Sequence, residues 1–364
     1  MFFLRKKNNL SYQLGFRVEN RDYTVNVLNK QGQDSLESKI KLPLSLFPSA
    51  FLSYKLNDKN DFQFNYSKRI NAPNPFQLQP FADYSDPLNI SVGNPKLKPQ
   101  FTHSFEVAYN NVYKKGSNLL VTAYYKYSTN LITNFIYKDI NPITNDSAFY
   151  SSFINANTST VFGLELSNKT AITKWWDLNV SFNLFRSEIN ANIPGQDANN
   201  NLTSWFSKMN NNFKITKGLS LQFSGQYQAK TVLPPGGNSG GGGGGGRGGG
   251  GFGGGGGGFG GPQSTAQGYN LPNYEFDLSI RKDWTLQGGK TASLTFSVSD
   301  LFKTRVIKTY TESLYFTQNV SRTRDQQFFR LNFSYRFGKF DVNLLRRKST
   351  KGDEGGGGMD QIPQ

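Results

Sequence analysis

RINAPNPFQLQPFADYSDPLNISVGNPKLKPQ, residues 69–100, separates two segments that each alternate cleanly between apolar and polar residues. It is too long and too rich in Pro, Asn and Asp for a hairpin turn, and it has no helical period. Pro73, Pro75, Pro80, Pro87, Pro95 and Pro99 remove backbone donors and fix φ, which predicts a semi-rigid, extended excursion. Gly93-Asn94 supplies a tight turn before Pro95. Excursions of about 30 residues are uncommon inside compact domains unless they have a task. The rest of the chain reads as a frame that holds loops of this kind on one rim.

Working outward, period-two alternation recurs in about twelve segments, near 10–29, 41–56, 62–67, 105–109, 121–137, 162–167, 178–184, 205–215, 219–228, 274–280, 294–299 and 329–337. With their flanks most exceed the usual strand of about five or six residues. The connections alternate in length. Short turns fall near 57–60, 114–117, 173–174, 217–218 and 287–289, and long loops near 30–40, 70–100, 139–154, 189–201, 231–269 and 303–325. All the long connections therefore lie at one end of the sheet. This predicts an all-β fold, a transmembrane antiparallel β-barrel whose strands alternate lipid-facing and lumen-facing residues. Such a sheet must close, because an edge in lipid leaves backbone groups unpaired. Tyr54, Tyr109, Trp175, Trp176, Tyr227, Trp284 and Tyr335, near strand ends, fit interfacial girdles. A soluble β-sandwich or β-helix also alternates. Strand length, one-sided loops and polar second faces (Asn179, Ser181, Asn183; Gln222, Ser224, Gln226) favour the barrel.

Composition narrows the chemistry. Lys and Arg outnumber Asp and Glu by 41 to 25 in 364 residues, so the net charge of +16 suggests an anionic neighbour such as nucleic acid, lipopolysaccharide or phospholipid headgroups. Aromatics reach 15% while mean hydropathy is −0.55, the combination expected of a surface apolar on one side and wet on the other. There is no cysteine, which excludes disulfides, thiolate metal sites and cysteine nucleophiles. The single histidine, His103, alternates with Phe101, Phe105 and Val107 and reads as structural. No apolar run approaches the ~18 residues of a membrane helix. Residues 2–4 are followed at once by Arg5-Lys6-Lys7, the wrong order for a signal peptide, so any export signal is expected in sequence not present here.

Motifs for catalysis are weak. The glycine run 234–261, with Arg247, Phe252 and Phe259, has no Lys-Ser/Thr after it and reads as a disordered outer loop rather than a phosphate loop. A soluble nucleic-acid binder would rest on that run and the charge alone. Asp83, Asp86 and Asp139 sit in loops as solvated carboxylates, and no metal site, cofactor or catalytic residue is expected. The organisation expected is a barrel segment over 1–340, with long outer loops at 70–100 and 231–269, and a disordered basic, Gly-rich tail over 341–364.

Tyr66-Ser67-Lys68-Arg69-Ile70-Asn71, Pro73-Asn74-Pro75, Leu78, Pro80-Phe81 and then Gly93-Asn94-Pro95-Lys96-Leu97-Lys98-Pro99 carry a specific resemblance. It continues through Gly163-Leu164-Glu165, Trp175-Trp176, Asp300-Leu301-Phe302 and the closing Tyr335, Phe337 and Gly338. Together these resemble the C-terminal part of the barrel of TonB-dependent receptors, in the outer membrane protein β-barrel family common in Bacteroidetes. Ala72 and Gln100 depart from that pattern, where the family often has Arg and Glu. The resemblance implies an outer-membrane receptor that captures a solute on its outer loops for energised uptake. It also implies roughly half of a barrel of about 22 strands. The partners implied are outer-membrane lipid and lipopolysaccharide, a periplasmic TonB-type protein acting through a plug absent from this chain, an unknown solute, and a surface lipoprotein; no nucleic acid is expected. The ligand candidates in the opening stretch are Arg69, Asn71, Asn74, Phe76, Asp83, Tyr84, Asp86, Asn94 and Lys96, with Pro73, Pro75, Pro80, Gly93, Pro95, Leu97 and Pro99 as its structural frame. The alternative is a non-transporting structural, adhesive or secretion-associated barrel.

Overall fold

The computed structural model describes residues 2–7, 9–20, 22–28, 34–41, 44–114, 116–190, 192–193, 196–197, 200–232, 268–287, 290–312, 315–323 and 327–337. The glycine run, Gly338 and the 341–364 tail lie outside them. In chain order the strands begin with β1 (Phe2–Lys7), β2 (Leu10–Glu19), β3 (Asp22–Leu28), β4 (Asp34–Lys41), β5 (Ser45–Asn57) and β6 (Asn60–Asn71). The opening stretch then forms one helical turn, α1 (Pro75–Leu78), and two short strands, β7 (Ala82–Asp83) and β8 (Asn89–Val92). β9 (Gln100–Lys114), β10 (Ser117–Ile140), β11 (Ser147–Ala171) and β12 (Trp176–Asn190) follow. After β13 (Asn192–Ile193) and β14 (Gln196–Asp197) come β15 (Asn200–Thr216), β16 (Leu219–Gln228), β17 (Gly268–Asn270), β18 (Asn273–Thr285) and β19 (Thr291–Ser299). β20 (Val306–Glu312), β21 (Thr317–Thr323) and β22 (Phe328–Arg336) complete the series.

Among the described residues fifteen strands share one sheet. Its path runs β1-β2-β5-β6-β9-β10-β11-β12-β15-β16-β18-β19-β22, each strand antiparallel to the next. Sequential pairing of this kind makes an up-and-down meander. The end strands β1 and β22 each pair on one side only among the described residues.

Directly opposed residues share a face of a sheet, so the register carries each face across many strands. One row runs Tyr12, Leu52, Phe64, Val107, Ala123, Leu164, Leu184, Trp205. Another runs Trp176, Phe213, Leu221, Ile280, Phe296, Leu331. The opposite face runs Gln13, Phe51, Asn65, Glu106, Tyr124, Gly163, Phe185, Ser204. Burial is inverted relative to a protein packed for water. Val107, Leu164, Leu184 and Leu331 are exposed, whereas Ser159, Ser187 and Ser204 are buried on the second face. A continuous apolar outer face of this extent marks contact with another apolar phase. No described helix is long and apolar enough to cross a membrane, which says nothing of strands.

Polar side chains pair across strands on the inner face. Lys214 Nζ lies 2.8 Å from Asp177, and the Tyr124 hydroxyl donates to Asn183 at 3.0 Å. Gly163 is required there: a Cβ would come within 2.5 Å of the Leu184 carbonyl oxygen and 2.8 Å of the Tyr124 hydroxyl. Aromatics gather at the short-turn end, where Trp175, Trp176 and Phe213 stack at 5.7–6.3 Å. Trp205 and Tyr227, 4.5 Å apart, lie towards the opposite end. His103 sits on the outer face, where Nδ1 is 3.0 Å from the Tyr66 hydroxyl.

The long connections are more structured than their composition suggests. Residues 139–154 are not a polar loop: β10 and β11 pair as far as Ile140 and Ser147, leaving only 141–146 unpaired. The 303–325 segment holds the β20–β21 hairpin, and β3–β4 form a hairpin across the first long connection. Strand pairing also starts earlier than the alternation indicates, with Phe2–Lys7 set against β2.

Candidate functional site

The opening stretch is folded rather than merely extended. Asn74 caps α1: its side chain accepts from the Gln77 amide at 2.9 Å, and the Gln77 side chain accepts from the Asn74 amide at 2.9 Å. Pro75 occupies the first helical position, where no donor is lost. Gly93 then passes against α1 so closely that a Cβ would lie 2.4 Å from the Gln79 carbonyl oxygen and 2.8 Å from that of Phe76. That proximity allows the Asn94 amide to donate to the Gln77 carbonyl at 2.6 Å.

Two apolar clusters anchor the stretch to the β10–β11 hairpin. Leu78 and Leu97 pack with Ile132, beside Tyr23 and Phe153. Ile90 packs with Ala148 and Tyr150, beside Ala82, Val92 and Tyr137. Leu78 and Ile90 are fully buried. Polar staples fix the register. Asn94 Nδ2 donates to the Phe153 carbonyl at 2.8 Å, and Asn141 Nδ2 to that of Pro87 at 2.9 Å. The Asn155 amide accepts from the Lys98 N–H at 2.8 Å and donates to the Lys98 carbonyl at 2.9 Å. β8 also adds to the sheet, running parallel to β11 from Asn89 to Ser91.

The hairpin receives this load through a local irregularity. Asn130 has φ 54°, the left-handed region. Below it the odd residues of β10, such as Val121 and Tyr125, lie on the outer face with Leu166 and Phe162. Above it Leu131 instead packs on Ile189, an inner-face residue of β12, with Phe135 and Val232. The alternation reverses at Asn130 while the β10–β11 register runs on unshifted, and Ile132 meets Leu78 and Leu97.

The structure divides the sequence candidates in two. Asn74 and Asn94 serve as cap and staple, and Pro73, Leu97 and Pro99 are buried as frame. Pro80 and Gly93 are half-buried and Pro95 is exposed. Arg69, Phe76, Asp83, Tyr84, Asp86 and Lys96 are exposed, and Asn71 is half-buried. Hydrogen bonds from Ser85 hold the Asp83 carboxyl below the usual range, and those from Asn89 and Leu88 do the same for Asp86. Among the described residues no cluster of His, Asp and Glu could hold a metal ion. Tyr335 and Phe337 stand far from this stretch in sequence, exposed at the end of β22.

Beside β8 the stretch walls a cavity of about 240 Å³. Asn89, Ile90 and Ser91 line it with Ile136, Phe149 and Ser151 of the hairpin, and with Phe316 and Gln318 at the start of β21. The Phe149 and Phe316 rings meet nearly at right angles, 5.2 Å apart. Sequence reasoning singled out none of these lining residues, although Asn89, Ile90 and Ser91 fall in the opening stretch and Phe149, Ser151, Phe316 and Gln318 in the long connections 139–154 and 303–325. The outer half of β11 and the β20–β21 hairpin lack a strong alternation, so nothing local marks their lining residues.

The chain matches the family described as the outer membrane protein beta-barrel family over residues 3–241 and 255–335. The chain belongs to this family. Members of this outer-membrane family cross the bilayer with strands, which explains the inverted burial of the sheet. A comparison with curated proteins finds no match. Among solved structures, the siderophore receptor PiuA of Acinetobacter baumannii matches with a TM-score of 0.53 and 13% identity, over 90% of this chain and 41% of that one. A mutant ferric enterobactin receptor, PfeA of Pseudomonas aeruginosa, matches at 0.52 and 13%, over 84% and 40%. The ferric-catecholate import receptor Fiu of Escherichia coli K12 matches at 0.50 and 14%, over 89% and 42%. At these identities the likeness is one of fold. The chain spans about two-fifths of the length of these structures.

Proposed function

We propose that this chain forms barrel wall of an outer-membrane receptor that captures a solute at its long-loop end for energised uptake. The observation that carries this reading is the docking of residues 69–100 onto the β10–β11 hairpin through two apolar clusters and paired amide staples. A loop with no task has no need of such anchoring. Phe76, Tyr84, Asp86 and Lys96 are left exposed on the docked stretch to meet the solute, with Arg69 at its base. The structural neighbours, named as receptors and an import receptor, support transport over catalysis. Energy coupling would come from a periplasmic TonB-type protein acting on a plug, and lipopolysaccharide would surround a chain of net charge +16.

The test is replacement of residues 71–99 by a short turn in the native gene. Solute uptake by cells should be lost while the protein still fractionates with the outer membrane. Unchanged uptake would contradict the proposal.

A further inference from the structure

The cavity beside β8 has a chemistry of its own. Its lining splits evenly between neutral hydrogen-bonding side chains (Asn89, Ser91, Ser151, Gln318) and apolar ones (Ile90, Ile136, Phe149, Phe316). Amides and hydroxyls offer both donors and acceptors. No charged side chain lines it among the described residues. Beside the lining stand two charges of opposite sign: Lys138, exposed opposite Phe149 in the hairpin, and Asp86, which accepts from the Asn89 side-chain amide at 2.9 Å.

Building on the receptor reading, we propose that this cavity takes an uncharged, hydroxyl-bearing ring, the chemistry of one unit of a neutral saccharide. Three observations converge on it. At about 240 Å³ the cavity is smaller than the roughly 300–1,000 Å³ that encloses a drug-sized ligand, so it admits one ring-sized group of a larger solute. The four polar side chains match a ring rich in hydroxyls, and the Phe149 and Phe316 rings offer apolar faces to its C–H surface. The lining supplies no cation to pair with an anionic group. The likeness to siderophore receptors therefore stops at the fold. Capture of a peptide by strand addition is also disfavoured at this site, because β8 is already paired on both edges, with β7 and β11.

The test is binding of the full-length protein in detergent to an array of neutral oligosaccharides, with a ferric catecholate and uncharged peptides as competing probes. Binding to neutral oligosaccharides is expected, weakened about tenfold by Gln318→Ala and by Phe149→Ala, the loss that follows removal of a single good contact. Gln318 lies on the exposed strand β21, so its substitution leaves the anchoring clusters intact. Binding of the ferric catecholate or of peptides without saccharide overturns the saccharide proposal and leaves the receptor reading standing. Saccharide binding that neither variant weakens overturns the site. Binding of no probe overturns the saccharide proposal, and the uptake experiment then decides the receptor reading separately.

Discussion

Gly93 shows how a single residue sets the shape of the loop. It is needed for close approach, since three backbone atoms of α1 and its C-terminal flank lie within 2.8 Å of where its Cβ would be. Backbone cannot rotate away as a side chain tip can. Gly93→Ala should push the Gly93–Leu97 turn off α1 and strain the Asn94 staple, at a local cost of about 1–3 kcal/mol. Limited proteolysis of intact cells should then cut within 75–98 several times faster than in the parent, while the barrel fragment stays membrane-bound. Equal cutting rates would mean that the stretch is held by its apolar clusters alone. The motif Gly-Asn-Pro was legible in the sequence as a turn. Its second purpose was not, because the partner backbone lies fourteen or more residues earlier and nothing local signals that contact.

Legibility at the level of elements follows the solvent. Within the apolar band one face must be apolar, so period two is enforced and β16, β18 and β19 could be read directly from alternation. Beyond the band that constraint lapses, and here both faces of the hairpin are covered, Leu131 on one and Ile132 on the other, so the end of β10 past Tyr137 and the outer half of β11 read as loop although they pair without interruption of register to Ile140 and Ser147. The reversal at Asn130 adds to this, since it breaks the alternation in the middle of a 24-residue strand. Asn tolerates left-handed backbone better than other residues with a side chain. Asn130→Ala should destabilise the outer hairpin by about 1–2 kcal/mol, and Asn130→Gly should not. Amide hydrogen exchange at Phe153 and Asn155 reports it: faster in the Ala variant, near parental in the Gly variant. Similar rates in both would show that the backbone conformation at 130 carries no strain and that the face reversal is imposed from elsewhere.

Across the whole molecule the two faces of the sheet predict opposite responses to the same substitution at adjacent residues. Phe223 and Ser224 are neighbours in β16. Phe223 stands opposite Leu278 and Asn211 on the outer face, and Ser224 opposite Asp277 and Asn210 on the inner face. In a bilayer an arginine at the midplane of the outer face costs about 2–4 kcal/mol. An arginine at 224 enters a polar interior beside Asp277 and can pair with it. Phe223→Arg should therefore sharply reduce the folded, membrane-inserted fraction, and Ser224→Arg should leave it near the parental level. The folded fraction can be read from the gel mobility of outer-membrane extracts with and without boiling. A soluble β-sandwich would give the reverse ordering: a solvated Phe→Arg change would be harmless, while an arginine forced into the buried second face would not. The experiment thus turns on which side of the sheet is dry. The exposure of Leu164, Leu184 and Leu331 against the burial of Ser159, Ser187 and Ser204 says that side is the outer one.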